Sequence, residues 1–462
     1  MIAMTLAEIA SAVGGRLAGS ADGDRMVTGT VEHDSRKVRD GGLFVAIPGE
    51  RVDGHDFAAA AHAAGAVAVL ATRPVPVPSI LVDDVLVALG RLARAVVDRL
   101  PGMTIVGITG SSGKTSTKDL VAQLCRNMGE TVATEGNFNN ELGHPYTVCR
   151  ATESTRYLVL EMGARGIGHI TRLCAVAPPG IGAVLNVGLS HLDGFGDIDT
   201  TARAKSELAT AVPPDGVVVL NADDPRVTAM RSVARGTVVT FGHGPTADVR
   251  ATDIGHDAGR PTFTLHTPEG AAPVRMRLHG AHHIGNALAA AAIAWQLGAS
   301  AADIAVGLGR ATRQSARRMD VFTRHDGITV IDDSYNANPA SMAAALSGLT
   351  DIATGRRIAV LGYMADLMEL EDRAHQEVGR KAVEAGVDTL VVVDPLASPI
   401  GTGAADSDVT VVTCADQAEA ITALRGILQP GDTVLVKASR YRTWQVADYL
   451  REDQVLTEES GS

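Results

Sequence analysis

Only four cysteines occur in 462 residues, Cys125, Cys149, Cys174 and Cys414, and none forms a C-x-x-C pair. That scatter supplies neither a zinc site nor a disulfide framework, and it fits a reducing compartment. No apolar run is long enough to span a bilayer. The opening stretch MIAMTLAEIASAVGGRLAG lacks the basic region and continuous apolar core of a signal peptide. Its Leu6, Ile9, Ala10 and Val13 instead fit one face of a short helix, so a cytoplasmic location is expected. Basic residues number 41 against 53 acidic ones, a net charge of -12. Nucleic acid, which calls for a basic face, is thereby excluded as a main partner. Phosphates must be handled locally, by loops, a few cations and metal ions. No Asn-Lys pair exists to read a guanine base, and Asp193-Gly-Phe-Gly196 is too loose a motif to restore a switch GTPase.

What is present is a series of short apolar runs: MTIVGIT, YLVLEMG, IGAVLNVG, GVVVLNADDP, RIAVLGYM, TLVVVD and TVLVKAS. Such runs read as strands buried on both faces, the pattern of parallel sheets in α/β domains. Polar residues stand where these strands end, Glu161, Asn186, Asn221 and Lys437, and ligands bind beyond the carboxyl ends of such strands. The length suggests about three domains. DRLPGM around Pro101 and the basic, aperiodic GRATRQSARRMD, residues 309–320, mark two boundaries. AAAAHAAGA reads as helix, the polar end REDQVLTEESGS as frayed, and no internal repeat is seen.

GITGSSGKTSTK, residues 107–118, lies between a buried strand and a helical pattern in which Leu120, Val121 and Leu124 share one side. It departs from G-x-x-x-x-G-K-[ST], because Ile108 stands where the first glycine belongs. The physics of a phosphate site survives that departure. Free N–H groups at a helix N-terminus and the helix dipole favour an anion, Lys114 can reach the outer phosphates, and the Thr115 hydroxyl can hold Mg²⁺. Glu161 ends the next strand, where a carboxylate can hold a metal near phosphates. His191 follows another strand end, though a lone histidine is more often a hydrogen-bonded structural group. Lys205 stands out because only six of the 41 basic residues are lysine. A deprotonated primary amine can combine with CO₂ into a carbamate that bridges metal ions, which a guanidinium cannot do.

TGSSGKTSTK, without its early glycine, resembles the loop of the Mur ligases, the ATP-dependent enzymes that build the peptidoglycan stem peptide. The resemblance runs nearly end to end: DSRKVRDGGLFVAIPGERVDGHDF, GNFNNELGHP, EMGARGIGHI, NVGLSHLDGFG, RAKSEL and HIGNALAAAA follow in the family's order. IDDSYNANPASM, residues 331–342, is similar to the signature of the member that joins D-alanyl-D-alanine to UDP-N-acetylmuramoyl-tripeptide. The implied architecture is α/β in three domains. Residues 1–100 would bind the uridine nucleotide substrate, and 101–313 would form a P-loop-type parallel-sheet ATPase domain. Residues 314–462 would form a Rossmann-like domain that takes the dipeptide.

By the same resemblance, Gly110, Ser111, Ser112, Gly113, Lys114, Thr115 and Ser116 bind the phosphates of ATP, with Asn286 near the nucleotide. Arg318 reaches the γ-phosphate and Asp333 the ribose. Thr115, Glu161, His191 and Lys205, the last matching a lysine carbamylated in sister enzymes, hold Mg²⁺, two ions in all. Ser35, Arg36, Asn137, Asn139 and Asn140 contact the UDP-linked peptide, and Tyr335, Asn336 and Asn338 the dipeptide. The partners are these small molecules, with no nucleic acid or membrane insertion, and the expected state is a monomer. The general base stays unidentified; His375 and Asp366 are candidates, each with a structural role favoured. The chain departs from the family at Asp366 and Met368, where Glu and Gly are usual, and at Ala438, where Gly is common. Another Mur-type or folylpolyglutamate-type ligase, or a nucleotide-binding protein without ligase activity, are the alternatives. Whether the third stem residue is diaminopimelate or lysine is not written in these motifs.

Overall fold

Seven apolar runs become seven strands, and their ends define where chemistry can occur. The structure is a computed structural model and describes residues 1–49, 52–189, 192–439 and 442–452. His191 and the tail 453–462 lie outside the described residues. Among the described residues the strands form three large sheets, with one two-stranded pair, Met4–Thr5 with Met26–Val27.

The first large sheet has five strands in the order Arg16–Ala18, Ser79–Leu81, Ala66–Ala71, Gly42–Val45, Val31–Glu32. The helix Leu6–Val13 beside it is set by a capping box at Thr5 and Glu8, and it buries the four residues that the helical spacing selects, Leu6, Ile9, Ala10 and Val13.

In the second sheet, Thr131–Ala133, Tyr157–Glu161, Thr104–Thr109, Ile181–Val184, Val217–Asn221 and Thr237–Gly242 lie side by side and parallel. The strand that feeds the phosphate-type loop therefore sits between two others, with Glu161 opposite Ile108 on one side and Val184 opposite Thr109 on the other. The helix Lys114–Arg126 buries Leu120, Val121 and Leu124. It packs against the helix His283–Gln296, in which every residue from Ala287 to Ala294 is buried. A run of alanines lets two helix backbones approach closely, which explains a helix apolar on all sides. The sheet then continues through Val249–Asp257, Arg260–Thr267 and Gly270–Arg275, which are mutually antiparallel. The apolar-run criterion missed these strands, because only alternate residues of Arg260–Thr267 are buried, as in a sheet with one open face.

The third sheet has the order Asp320–Thr323, Thr329–Asp332, Thr433–Lys437, Arg357–Gly362, Thr389–Val393, Thr410–Cys414. All pairs are parallel except the first, an edge strand too short and mixed to stand out in the sequence. All four cysteines are free and buried, and burial pushes the thiols of Cys125, Cys149 and Cys174 up to about 12. No helix among the described residues is long and apolar enough to cross a membrane.

One departure from the resembled family has a backbone consequence. Met368 holds φ = 54°, left-handed geometry that suits glycine, and its side chain is 59% exposed and so contributes little packing. Relief of that strain outweighs the added chain entropy of glycine, so Met368→Gly is expected to stabilise the protein by about 0.5–1 kcal/mol. Urea denaturation measures this, and an unchanged or lowered midpoint would show that the loop is not strained there.

Candidate functional site

The carboxyl ends of the central strands, and of the interior strands Thr329–Asp332, Thr433–Lys437 and Arg357–Gly362 of the third sheet, face a cavity of 880 Å³. Its floor is the loop Gly110–Gly113. Gly113 has φ = 78°, and a Cβ there would lie 2.5 Å from Asn286 Oδ1, so glycine is required on both counts. Asn186, just past a strand end, braces the loop: its Oδ1 accepts from Ser112 N–H at 2.8 Å and its Nδ2 donates to Ser112 O at 3.1 Å. Ser111 Oγ receives Gly188 N–H at 2.8 Å. The N–H groups of the first turn of Lys114–Arg126 are left for an anion. Lys114 Nζ donates to Gly110 O at 2.8 Å, folded back over the loop.

Glu161 is 2% exposed. One carboxylate oxygen accepts from Thr115 Oγ1 at 2.9 Å, the other from Asn139 Nδ2 at 2.7 Å. Asn139 is itself held by its carbonyl, which accepts from Gly163 N–H at 2.9 Å. A Cβ on Gly163 would sit 2.8 Å from Asn139 Oδ1, so that close approach needs glycine. Asn140 Oδ1 accepts from Leu142 N–H and Gly143 N–H, at 3.3 and 2.9 Å, and sets the start of the helix Gly143–Val148. From that helix Tyr146 donates to Glu32 at 3.1 Å, and its ring meets those of His33 and Phe138 edge-on. The loop that carries Asn139 is thus tied to the first sheet.

Burial, with Arg318 adding to the effect and Glu161 opposing it, lowers the pKa of Lys114. Lys205, on the helix Ile198–Ala211, is 3% exposed and also lines the cavity. Burial first and the charge of Lys114 second depress its pKa well below that of a free lysine. A buried amine with a depressed pKa is the form that can react with CO₂.

The opposite wall comes from the third sheet. Arg318 lies over the Tyr335 ring at 4.1 Å, and Arg317 over Trp444 at 4.8 Å. Asp333, expected at a ribose, is engaged by protein: Lys437 forms an ion pair with it, and Met319 N–H donates to its Oδ1 at 3.1 Å. Asn338 caps the helix Pro339–Ile352, its Oδ1 accepting from Ser341 N–H at 2.9 Å. The carbonyl of Asn336 receives Lys437.

All the residues expected at the nucleotide and dipeptide line this one cavity, as do Asn137, Asn139, Asn140, Glu161 and Lys205. Ser35 and Arg36 do not line it. Arg36 is exposed and doubly bonded to Asp34, whose carboxyl it holds well below the usual range. Asp366 lines the cavity, whereas His375 is a structural group. Its Nε2 accepts from Met364 N–H at 2.9 Å, and its Nδ1 bonds Glu371 O at 2.7 Å.

Sequence reasoning missed Trp444, His282 and His283, all on the cavity wall. His282 and His283 precede Asn286 in HHIGN, and that proximity was the available signal.

Three family profiles match the chain: Mur ligase family, catalytic domain, over residues 29–96; Mur ligase middle domain, over 108–294; and Mur ligase, glutamate ligase domain, over 317–440. UDP-N-acetylmuramoyl-tripeptide--D-alanyl-D-alanine ligase of Mycobacterium bovis is 49% identical, over 95% of this chain and 96% of the relative. The crystal structure of MurF from Acinetobacter baumannii superposes with a TM-score of 0.89 at 31% identity, over 97% of this chain and 99% of that one. MurF from Thermotoga maritima in complex with ADP gives 0.81 at 29% identity, over 92% and 98%.

Proposed function

The chain belongs to the Mur ligase family, and from that premise we propose how its cavity works. Its activity is the ATP-dependent joining of D-alanyl-D-alanine to UDP-N-acetylmuramoyl-tripeptide in peptidoglycan precursor synthesis. The observation that carries the site reading is the convergence of the phosphate-type loop, Glu161, Lys205 and Arg318 on one cavity.

A carboxylate resists an amine because its charge and resonance remove its electrophilicity. Transfer of the γ-phosphoryl group of ATP turns it into an acyl phosphate, with phosphate as leaving group. The loop N–H groups and Lys114 bind the phosphates from the central side, and Arg318 meets the transferring group from the third sheet. The dipeptide amine then attacks beside Tyr335 and Asn336, and the tetrahedral intermediate expels phosphate. Closure of the third domain over ATP keeps water from the acyl phosphate. Asp333 reaches a ribose in this reading only by sharing its carboxylate with Lys437. Ser35 and Arg36, outside the main cavity, hold the uridine nucleotide, and Asn137 and Asn140 the peptide that extends inward. The partners are small molecules and the unit is a monomer. Nucleotide-linked substrates and ATP support a cytoplasmic setting.

Thr115 and Glu161 offer the oxygen donors a hard divalent cation takes. No group of three or more His, Cys, Asp or Glu among the described residues closes a metal cage, and Mg²⁺ ordinarily completes its shell with water and substrate phosphates. His191, assigned to the metal by resemblance, lies outside the described residues. Thr115 and Glu161 would hold Mg²⁺ there, where it would offset charge on the phosphate oxygens.

The deciding assay is phosphate release from Mg-ATP with the UDP-linked tripeptide, with and without D-alanyl-D-alanine. Dipeptide-dependent release with a matching mass gain on the nucleotide peptide is expected; release indifferent to the dipeptide would point to another acceptor. Arg318→Ala should lower kcat by about 100-fold while ATP affinity changes less than about threefold. Equal loss of both would remove Arg318 from the transition state. A carbamate on the buried Lys205 predicts that activity falls in CO₂-depleted buffer and returns with bicarbonate. Indifference to bicarbonate, with no ¹³C signal from labelled bicarbonate on the protein, would exclude it.

A further inference from the structure

The segment Arg317–Met319 leads into the third sheet, and two of its three residues hold left-handed backbone without being glycine. Arg317 has φ = 57° and Met319 φ = 48°. Such geometry persists only where the surroundings over-determine it, and here the holds can be named. Arg317 O accepts from Tyr335 N–H at 3.2 Å, and its guanidinium bonds Asp448 at 2.7 Å. Met319 N–H donates to Asp333 Oδ1 at 3.1 Å. Arg318, between the two pinned residues, is thereby aimed into the cavity over Tyr335.

The hold on Met319 depends on Asp333 keeping an oxygen turned toward that N–H, and that falls to Lys437. This lysine is 1% exposed at the end of strand Thr433–Lys437. It is ion-paired with Asp333 Oδ2 and donates to the carbonyls of Asn336 at 3.0 Å and Asp333 at 3.3 Å. An ammonium has three donors, and all three are spent on protein. Lys437 therefore differs from Lys114, which folds over the phosphate loop. Without Lys437, a buried carboxylate loses its counter-charge and must turn away or take up a proton. Turning away releases Met319 N–H, and Arg317–Met319 can then relax to ordinary backbone.

We propose that Lys437 is a positioning residue for the ligase reaction: through Asp333 it locks the strained Arg317–Met319 segment and so aims Arg318 at the transferring phosphoryl group. The proposal rests on the role given to Arg318 above.

Steady-state kinetics at saturating ATP, with ATP affinity from calorimetry, test it on five variants of the full chain: Arg318→Ala, Lys437→Met, the two combined, Asp333→Asn, and Lys437→Met with Asp333→Asn. Lys437→Met should lower kcat at saturating ATP by about tenfold or more, and on an Arg318→Ala background it should lower kcat almost no further. Independent, multiplying losses would overturn the proposal. The charge-free pair keeps an amide carbonyl for Met319 N–H without burying an unpaired charge, so its kcat should be no lower than that of Asp333→Asn alone, whatever that single change costs at the ribose. That comparison also carries the test if Lys437→Met alone does not fold. A charge-free pair that folds yet is clearly slower than Asp333→Asn alone would show that Lys437 acts on the reacting groups directly, and would overturn the positioning role. An unchanged kcat in Arg318→Ala is a separate result: it removes the reading of Arg318 and the proposal with it.

Discussion

The arrangement of the cavity depends on one buried carboxylate. Glu161 is held on both oxygens by neutral donors, the hydroxyl of Thr115 and the amide of Asn139. Neutral hydrogen bonds lower the cost of burying a charge but do not cancel it. Across the same cavity, Lys114 and Arg318 bring positive charge; Glu161 acts on Lys114 through space, but neither cation has a carboxylate ion pair among the contacts described. The cavity therefore suits a ligand that brings both signs at once, an anion for the loop and a cation for the glutamate. A metal-bound nucleoside triphosphate is such a ligand, and its arrival would complete the electrostatics that folding leaves open.

The same carboxylate couples distant parts of the chain. Asn139 reaches Glu161 from a loop whose neighbours Phe138 and Tyr146 pack on His33 and bond Glu32 in the first sheet. On the far side, the wall that carries Arg318 is fixed by contacts within the third sheet. Neither outer region shares a strand with the central one. The first packs onto the central sheet through one continuous apolar core, Leu89, Leu92 and Val96 with Leu158, Ile170 and Leu173, whereas the third keeps buried cores of its own and leaves its alignment over the phosphate loop to side-chain contacts. Such contacts suit a ligase that must admit three substrates and then shut out water.

Much of this was legible in the sequence, for a definite reason. Strands buried on both faces cannot hide polar residues in their middles, so polar strand ends such as Glu161, Asn186 and Lys437 stand out. A glycine-rich turn between strand and helix has few other uses. What stayed illegible depends on partners far apart in the chain. Nothing in the motif around Asp333 announces that Lys437, more than a hundred residues later, pairs with it. Trp444 carries no motif, and only folding brings it beside Arg317 and Tyr335. The strands Val249–Asp257 to Gly270–Arg275 hid because one of their faces is open.

The scarcity of lysine gives the protein an unusual chemical surface. Of its six lysines, Lys118, Lys205 and Lys437 are buried and Lys114 is partly so, which leaves Lys37 exposed and Lys381 half-exposed. An amine-selective reagent therefore meets two populations, a sparse outer one and an inner one in or beside the catalytic cavity. Arginine, which such reagents ignore, carries the rest of the positive charge. Gentle acylation would decorate the outside at very few points, and any slower uptake of label would report the opening of the cavity itself, read directly as mass on a handful of tryptic peptides.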